Sequence, residues 1–300
     1  MPSTIVCGVD RSPHARAAAR LAGVLARRLG HHLELVHVLE PGSRPDSQGG
    51  MAALQAVMQE ELDTSGVAVC LQTGSTPAVL AKAARRAALL VIGTRGEGAL
   101  RQTLLGSVSG VLTCDPPSPM VVVPPAAATA AGAPLAGRSI ICGIRDERDR
   151  ATAHTAARMA GDLGVSLTLA HVLPPPAIPA SAAGGAPPAS MLRPTTAEAE
   201  TALHMLEATA RWLAMNTLGD VALRVLDGPC GPQLDHLAGT DAAAMLAVGA
   251  SDRGPLAAAL AGAPSRHLLR HGARPIMVCP RPQTPAGSED PSDHVSSIAS

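Results

Sequence analysis

The 300-residue chain has no phenylalanine, no tyrosine and a single tryptophan, Trp212. Nucleobase-stacking modules need aromatic side chains, so that mode of single-stranded nucleic-acid recognition is excluded. A surplus of either charge is also missing: 24 basic residues balance 24 acidic ones, and charged residues make up only 16%. A nucleic-acid binder needs a basic face that this balance does not supply. No apolar run reaches the roughly 18 residues of a membrane span, and the chain does not open on a charged, apolar and small-residue signal segment. The expected location is therefore the cytoplasm, with neither membrane nor nucleic acid among the partners. Cys7, Cys70, Cys114, Cys142, Cys230 and Cys279 form no C-x-x-C pair, and none stands at zinc-ligand spacing from a histidine. Several sit in apolar runs, which reads as reduced, buried thiols, with a redox-sensing thiol as the alternative.

What the chain does have is hydrophobic content of 46%, carried by Leu, Val, Ile, Ala and Met, and a pattern that occurs twice. Ile5-Val6-Cys7-Gly8-Val9 returns as Ile140-Ile141-Cys142-Gly143-Ile144. Leu33-Glu34-Leu35-Val36-His37-Val38-Leu39 returns as Leu167-Thr168-Leu169-Ala170-His171-Val172-Leu173, and Val91-Ile92-Gly93 as Ala247-Val248-Gly249. The separation grows between the second and third of these matches. The extra residues fall in Pro174 to Pro194, a stretch of Pro, Ala, Gly and Ser that reads as a loop. The sequence thus divides into a first domain at 1–124, a linker at 125–137, a second domain at 138–281 and a polar, disordered tail at 282–300.

Each half alternates strand-like and helix-like segments. In the first, an apolar run at 4–9 precedes Ser12-Pro13, a capping hydroxyl followed by proline at the first helical position. The helix stops at Gly30, the expected left-handed terminator. Strands follow at 33–39, 67–72, 88–93 and 120–123, with helices near 50–64, over 76–87 and from Ser107. Strands separated by helices pair in parallel with right-handed crossovers. Apolar strands without clean alternation fit a sheet covered on both faces. The fold class is α/β, with two tandem doubly wound, Rossmann-like parallel sheets.

The stretch richest in chemistry runs from Gly93 to Ser109, between the fourth strand and the next helix. Gly93, Gly96 and Gly106 allow close backbone approach and positive φ. Ser107 stands where a helix begins, with free N–H groups that favour an anion, and the Ser107 and Ser109 hydroxyls can donate to phosphate oxygens. Ligands of open parallel sheets sit beyond the carboxyl ends of the strands, where strand order reverses; strands one and four should flank that point, and Asp10 ends strand one. Bland readings stand beside these. Asp10 can cap a helix, and Arg95 and Arg101 can be solvated charges. The loop is neither a Walker loop nor the dinucleotide fingerprint.

Gly93-x2-Gly96-x9-Gly106-Ser107 resembles the ATP-binding motif of the universal stress protein family. Gly8-Val9-Asp10-x-Ser12, His37-Val38 and Pro119-Met120-Val121-Val122-Val123 resemble that family as well, and the likeness extends over both halves. The resemblance implies an ATP site, with or without Mg²⁺. Asp10 would contact its adenosine side and Val38 would meet adenine through its backbone, with Gly8 and Val9 also among the nucleotide-binding residues. Ile92 and Gly93 would lie near the ribose. Gly96, Gly106, Ser107, Val108 and Ser109 would lie along the phosphates, and Arg95 is counted among the nucleotide-binding residues of the same loop. Backbone recognition of adenine would need no stacking ring.

The second half departs from this pattern. Gly96 is matched by Asp252, Ser107 by Ala263, Val108 by Pro264 and Asp10 by Arg145. A carboxylate where phosphates would approach repels them by several kcal/mol at about 4 Å and an effective dielectric near 20. The other changes remove a hydroxyl and a backbone donor. One nucleotide per chain, in the first half, is the expectation, with Arg145 expected to pair with its neighbour Asp146. His37 and His171 recur at the same strand end and are expected to be structural, and His14 is expected to be solvated.

The last strands, 120–123 and 276–279, are apolar sheet edges that invite pairing, which would join the halves as a pseudo-dimer. No catalytic residue is expected, since the sequence offers no nucleophile elbow, no metal cluster and no base beyond Asp10; slow ATP hydrolysis is the most the resemblance implies. The chain then reads as an ATP-binding, nucleotide-dependent regulator in stress response, with a homodimer of tandem chains and a protein partner. The alternative is a nucleotide-independent interaction protein. An adenylating enzyme would need a Ser-Gly-Gly-x-Asp-Ser segment, which Gly8-Val9-Asp10-Arg11-Ser12 does not provide.

Overall fold

Parallel pairing within each half and edge pairing between halves together build one continuous sheet. The computed structural model of the chain describes residues 3–39, 67–94, 107–129, 135–175, 194–215, 221–250 and 264–281. The first half runs β1 (Thr4–Gly8), α1 (Pro13–Leu29), β2 (His32–Leu39), β3 (Val67–Thr73), α2 (Thr76–Ala84), β4 (Leu89–Gly93), α3 (Ser107–Leu112) and β5 (Met120–Val123). A short helix, α4 (Pro125–Thr129), follows. The second half runs β6 (Ser139–Gly143), a 3₁₀ turn (Glu147–Asp149), α5 (Arg150–Leu163), β7 (Ser166–Leu173), α6 (Thr196–Met215), β8 (Val221–Asp227), α7 (Cys230–Thr240), β9 (Ala243–Gly249), α8 (Pro264–His271) and β10 (Ile276–Cys279). The expected helix near 50–64, the loop residues 95–106 and the tail from Pro282 lie outside the described residues.

The ten strands are ordered β3-β2-β1-β4-β5-β10-β9-β6-β7-β8. Every neighbouring pair within a half is parallel, and strand order reverses between β1 and β4 and between β6 and β9. The halves meet where β5 and β10 pair antiparallel, with Val121 opposite Met277 at the centre. All four residues of each of these strands are buried, so the apolar edges expected to attract a partner find each other within the chain.

Side chains alternate across the sheet into two cores. Ile5, Cys7, Val91, Val121, Cys142 and Met277 pack on the face covered by α1, α5 and α6. Val6, Ile92, Val122, Ile141, Leu246 and Val278 pack on the other, covered by α2, α3, α7 and α8. No Phe or Tyr is available, so α1 offers Ala15, Ala17, Ala18, Ala19, Ala22 and Ala26 and approaches the sheet closely. The large contacts come from Leu21 and Leu25 on the same stripe.

The α1 signals hold in detail. The Ser12 hydroxyl accepts from the Ala15 N–H at 3.1 Å, Pro13 occupies the first turn, and Gly30 closes the helix at φ 64°. Two other boundaries differ from expectation. The helix begun at Thr76 ends at Ala84, and the residues read as linker open with α4, whose start has the proline and alanines of a helix N-terminus.

Candidate functional site

The carboxyl ends of β1, β2 and β4 form one rim, and backbone groups build most of it. The Val9 N–H donates to the Val36 carbonyl at 3.0 Å, carrying the β1–β2 ladder past Gly8. His37 Nδ1 donates to the Val9 carbonyl at 2.8 Å, and His171 Nδ1 donates to the Ile144 carbonyl at the same distance. The recurring histidine thus locks strand two to the end of strand one in both halves.

Asp10 enters directly after Val9. Its Oδ1 accepts the Ser12 N–H at 2.9 Å, an Asx turn that seats the cap of α1. Part of the carboxylate therefore serves the turn while the residue stands at the rim. Gly8 lies beside Ile92: a Cβ at Gly8 would sit 3.3 Å from Ile92 Cγ2 and 2.8 Å from Leu80 Cδ1. Val38 and Val108 pack, half-buried, on the same face as Ile92. The structure thus brings together Gly8, Val9, Asp10, Val38, Ile92 and Gly93, with Val108 and Ser109 arriving from α3. Of Ser107 the structure describes the backbone, at the start of α3. Arg95, Gly96 and Gly106 lie outside the described residues.

Two site residues have partners that sequence reasoning did not foresee. A Cβ at Gly93 would stand 2.8 Å from the carbonyl carbon of His14 and 2.9 Å from its oxygen. What approaches Gly93 is therefore the first turn of α1. The Ser109 hydroxyl, buried, donates to the Thr94 carbonyl at 3.0 Å. Thr94, only 2% exposed, donates through both its N–H (3.3 Å) and its Oγ1 (3.4 Å) to the Val123 carbonyl. Ser109, Thr94 and Val123 thereby tie α3, the rim and β5 together. Thr94 is the first polar residue after an apolar strand, and Ala250 stands in its place in the second half.

The second rim is built on the same frame and filled differently. Arg145, expected to pair with Asp146, pairs with Asp149. Its backbone N–H donates to Asp149 Oδ2 at 2.8 Å, its Nε to Oδ2 at 3.0 Å and its Nη2 to Oδ1 at 2.8 Å. The physical reason is the 3₁₀ turn Glu147–Asp149, which brings Asp149 back under Arg145. Asp146 caps that turn instead, accepting the Arg148 N–H at 2.9 Å and Arg148 Nη2 at 2.7 Å. Hydrogen bonds from the Arg148 side chain hold its carboxyl below the usual range.

The Asp149 side chain is 4% exposed and that of Arg145 44%. A Cβ at Gly249 would stand 2.9 Å from Asp149 Oδ1, 3.1 Å from Thr152 Oγ1 and 3.4 Å from Arg145 Nη2. Gly249 matches Gly93, so the end of β9 is covered by an ion pair where the end of β4 meets helix backbone.

Among the described residues the geometry assembles no nucleophile with its base. Burial pushes the Cys7 and Cys142 thiols far up and the Cys279 thiol up to about 12, with the Asp149 carboxylate adding to the rise at Cys142 and Cys279. Burial likewise lifts Cys230 to about 11, so none of the four is a thiolate at neutral pH. Among the described residues no group of three or more His, Cys, Asp or Glu is placed to hold a metal, and no helix is long and apolar enough to cross a membrane.

Comparison with known proteins agrees with this architecture. A universal stress protein of Thermus aquaticus is 33% identical over 138 residues, covering 41% of this chain and 99% of that protein. The solved structure of a universal stress protein from Archaeoglobus fulgidus DSM 4304 superposes with a TM-score of 0.63 at 14% identity, covering 93% of this chain and 98% of the other. A putative universal stress protein from Pseudomonas aeruginosa UCBPP-PA14 gives 0.56 at 18% identity, with 93% of each chain covered. At such identities the structural likeness shows the fold alone. The model of the universal stress protein family matches twice, at residues 1–124 and 137–280, and the chain belongs to that family.

Proposed function

We propose that this chain binds one ATP, in its first half, and acts as a nucleotide-dependent regulator in a stress response. The observation that carries the reading is the contrast between two rims on one frame. In the first, the reversal point between β1 and β4 is bordered by Gly8, Asp10 and Gly93. In the second, the corresponding point holds the Arg145–Asp149 pair. Open parallel sheets take ligands at such a point.

Asp10 and the Val38 backbone would hold the adenosine end, with Gly8, Val9, Ile92 and Gly93 lining the strand ends beside it. Arg95, Gly96, Gly106, Ser107 and Val108 would follow the phosphates. Ser109, committed to Thr94, would act by fixing the stem of the phosphate loop. Mg²⁺ would accompany the phosphates and offset their charge. A homodimer of tandem chains and a protein partner that senses the bound nucleotide belong to the same reading.

The nucleotide content of the purified protein tests it. Denaturing the wild-type chain is expected to release adenine nucleotide, and Gly96→Asp is expected to empty the protein while leaving it folded. A folded chain that carries none and takes up none when supplied would favour the nucleotide-independent interaction protein.

A further inference from the structure

Helix α8 carries a pair of side chains that neither rim uses. α8 buries Leu268 and Leu269 in the core. His267 and His271 stand four residues apart on it, one turn above the other on a shared face. Their ring centroids are 5.0 Å apart and their planes are tilted by 41°, neither stacked nor edge-on. His267 is half-buried and His271 exposed.

The separation matches chelation. A borderline divalent cation bonds an imidazole nitrogen at about 2.1 Å, which places the metal roughly 3.2 Å from the ring centroid. Two rings meeting one metal at about 90° to 110° then have centroids roughly 4.5 to 5.2 Å apart. The electrostatic setting adds a second argument. α8 ends at His271, where the carbonyl end of the helix dipole favours a cation. Asp235 of α7 accepts the Ala273 N–H at 3.4 Å, which sets a carboxylate beside the turn that follows. Arg270 opposes, but helical geometry points it about 100° round the axis from His271.

We propose that His267 and His271 form a two-imidazole chelate for a borderline divalent transition metal, the class of Ni²⁺ and Zn²⁺, with water completing the shell. The site is independent of the nucleotide. Both rings reach one metal only while the helix is formed, so the bound ion staples the final turns of α8 and stabilises the folded chain by linkage.

Thermal unfolding of the full chain, stripped with a chelator and then supplied with Ni²⁺ chloride, tests this. The wild-type midpoint is expected to rise. His267→Gln and His271→Gln should each lose most of that rise, since a single remaining imidazole no longer chelates the ion. His204→Gln, exposed on α6, should keep it. Absence of a rise in the wild type, or a full rise in either single α8 variant, would overturn the proposal.

Discussion

Replacing Arg145 with alanine is expected to destabilise the second half by about 3 kcal/mol, the lower end of the range for removing one partner of a buried pair. The lower end applies because the Arg145 side chain is 44% exposed, so part of the pair's field is screened. What the substitution leaves behind is a carboxylate that is 4% exposed, deprived of two guanidinium donors and still held by one backbone N–H. The reverse change, Asp149→Asn, is expected to cost less, because the Arg145 side chain is 44% exposed and its guanidinium already meets water. Trp212 makes the comparison measurable: the single tryptophan lies on α6 in the second half, edge-on to His154 with centroids 5.9 Å apart. Urea unfolding followed by its fluorescence should show a clearly lower midpoint for Arg145→Ala than for Asp149→Asn. Equal losses would show that the buried carboxylate is not the source of the effect.

Gly93→Ala is the second large effect, about 1–3 kcal/mol from overpacking. Its Cβ would press on the carbonyl carbon and oxygen of His14 at 2.8 and 2.9 Å, atoms that move only if the first turn of α1 moves with its Ser12 cap. Gly8→Ala supplies the contrast on the neighbouring strand. There the crowding atom at 2.8 Å is Leu80 Cδ1, the far end of a flexible side chain, and a smaller cost is expected. Differential scanning calorimetry of the two variants decides the matter. Similar losses at both positions would show that the α1 backbone is not what requires glycine at 93. Displacement of α1 also moves Asp10, so Gly93→Ala is expected to weaken nucleotide binding.

These cases show what the sequence made legible. The alternation of strands and helices, the Ser12-Pro13 cap, the Gly30 stop and the pairing of two apolar edge strands all depend on local pattern or on a feature repeated in both halves. The structure reproduces each of them. The recurrence of His37 as His171 likewise marked a structural role, met by bonds to Val9 and Ile144. What the sequence does not display depends on contacts across elements. Gly93 looked like a ligand-facing glycine because its partner, the backbone of His14, lies far away in sequence. Asp149 is not marked by local pattern, because only the 3₁₀ turn after β6 places it under Arg145. The Ser109 hydroxyl stands at a helix start in the sequence, and only the fold shows that it donates to the Thr94 carbonyl. Position along the chain pointed to the rim, but the partners at the rim are a tertiary property.

The claim that one half binds and the other is filled by its own ion pair is tested most directly by calorimetric titration of the intact chain with Mg-ATP. The account predicts a stoichiometry near one per chain, unchanged by substitution of Gly254, the second-half residue that matches Gly98 of the first-half loop, and abolished by Gly96→Asp. A stoichiometry of two, or binding that survives Gly96→Asp, would contradict it.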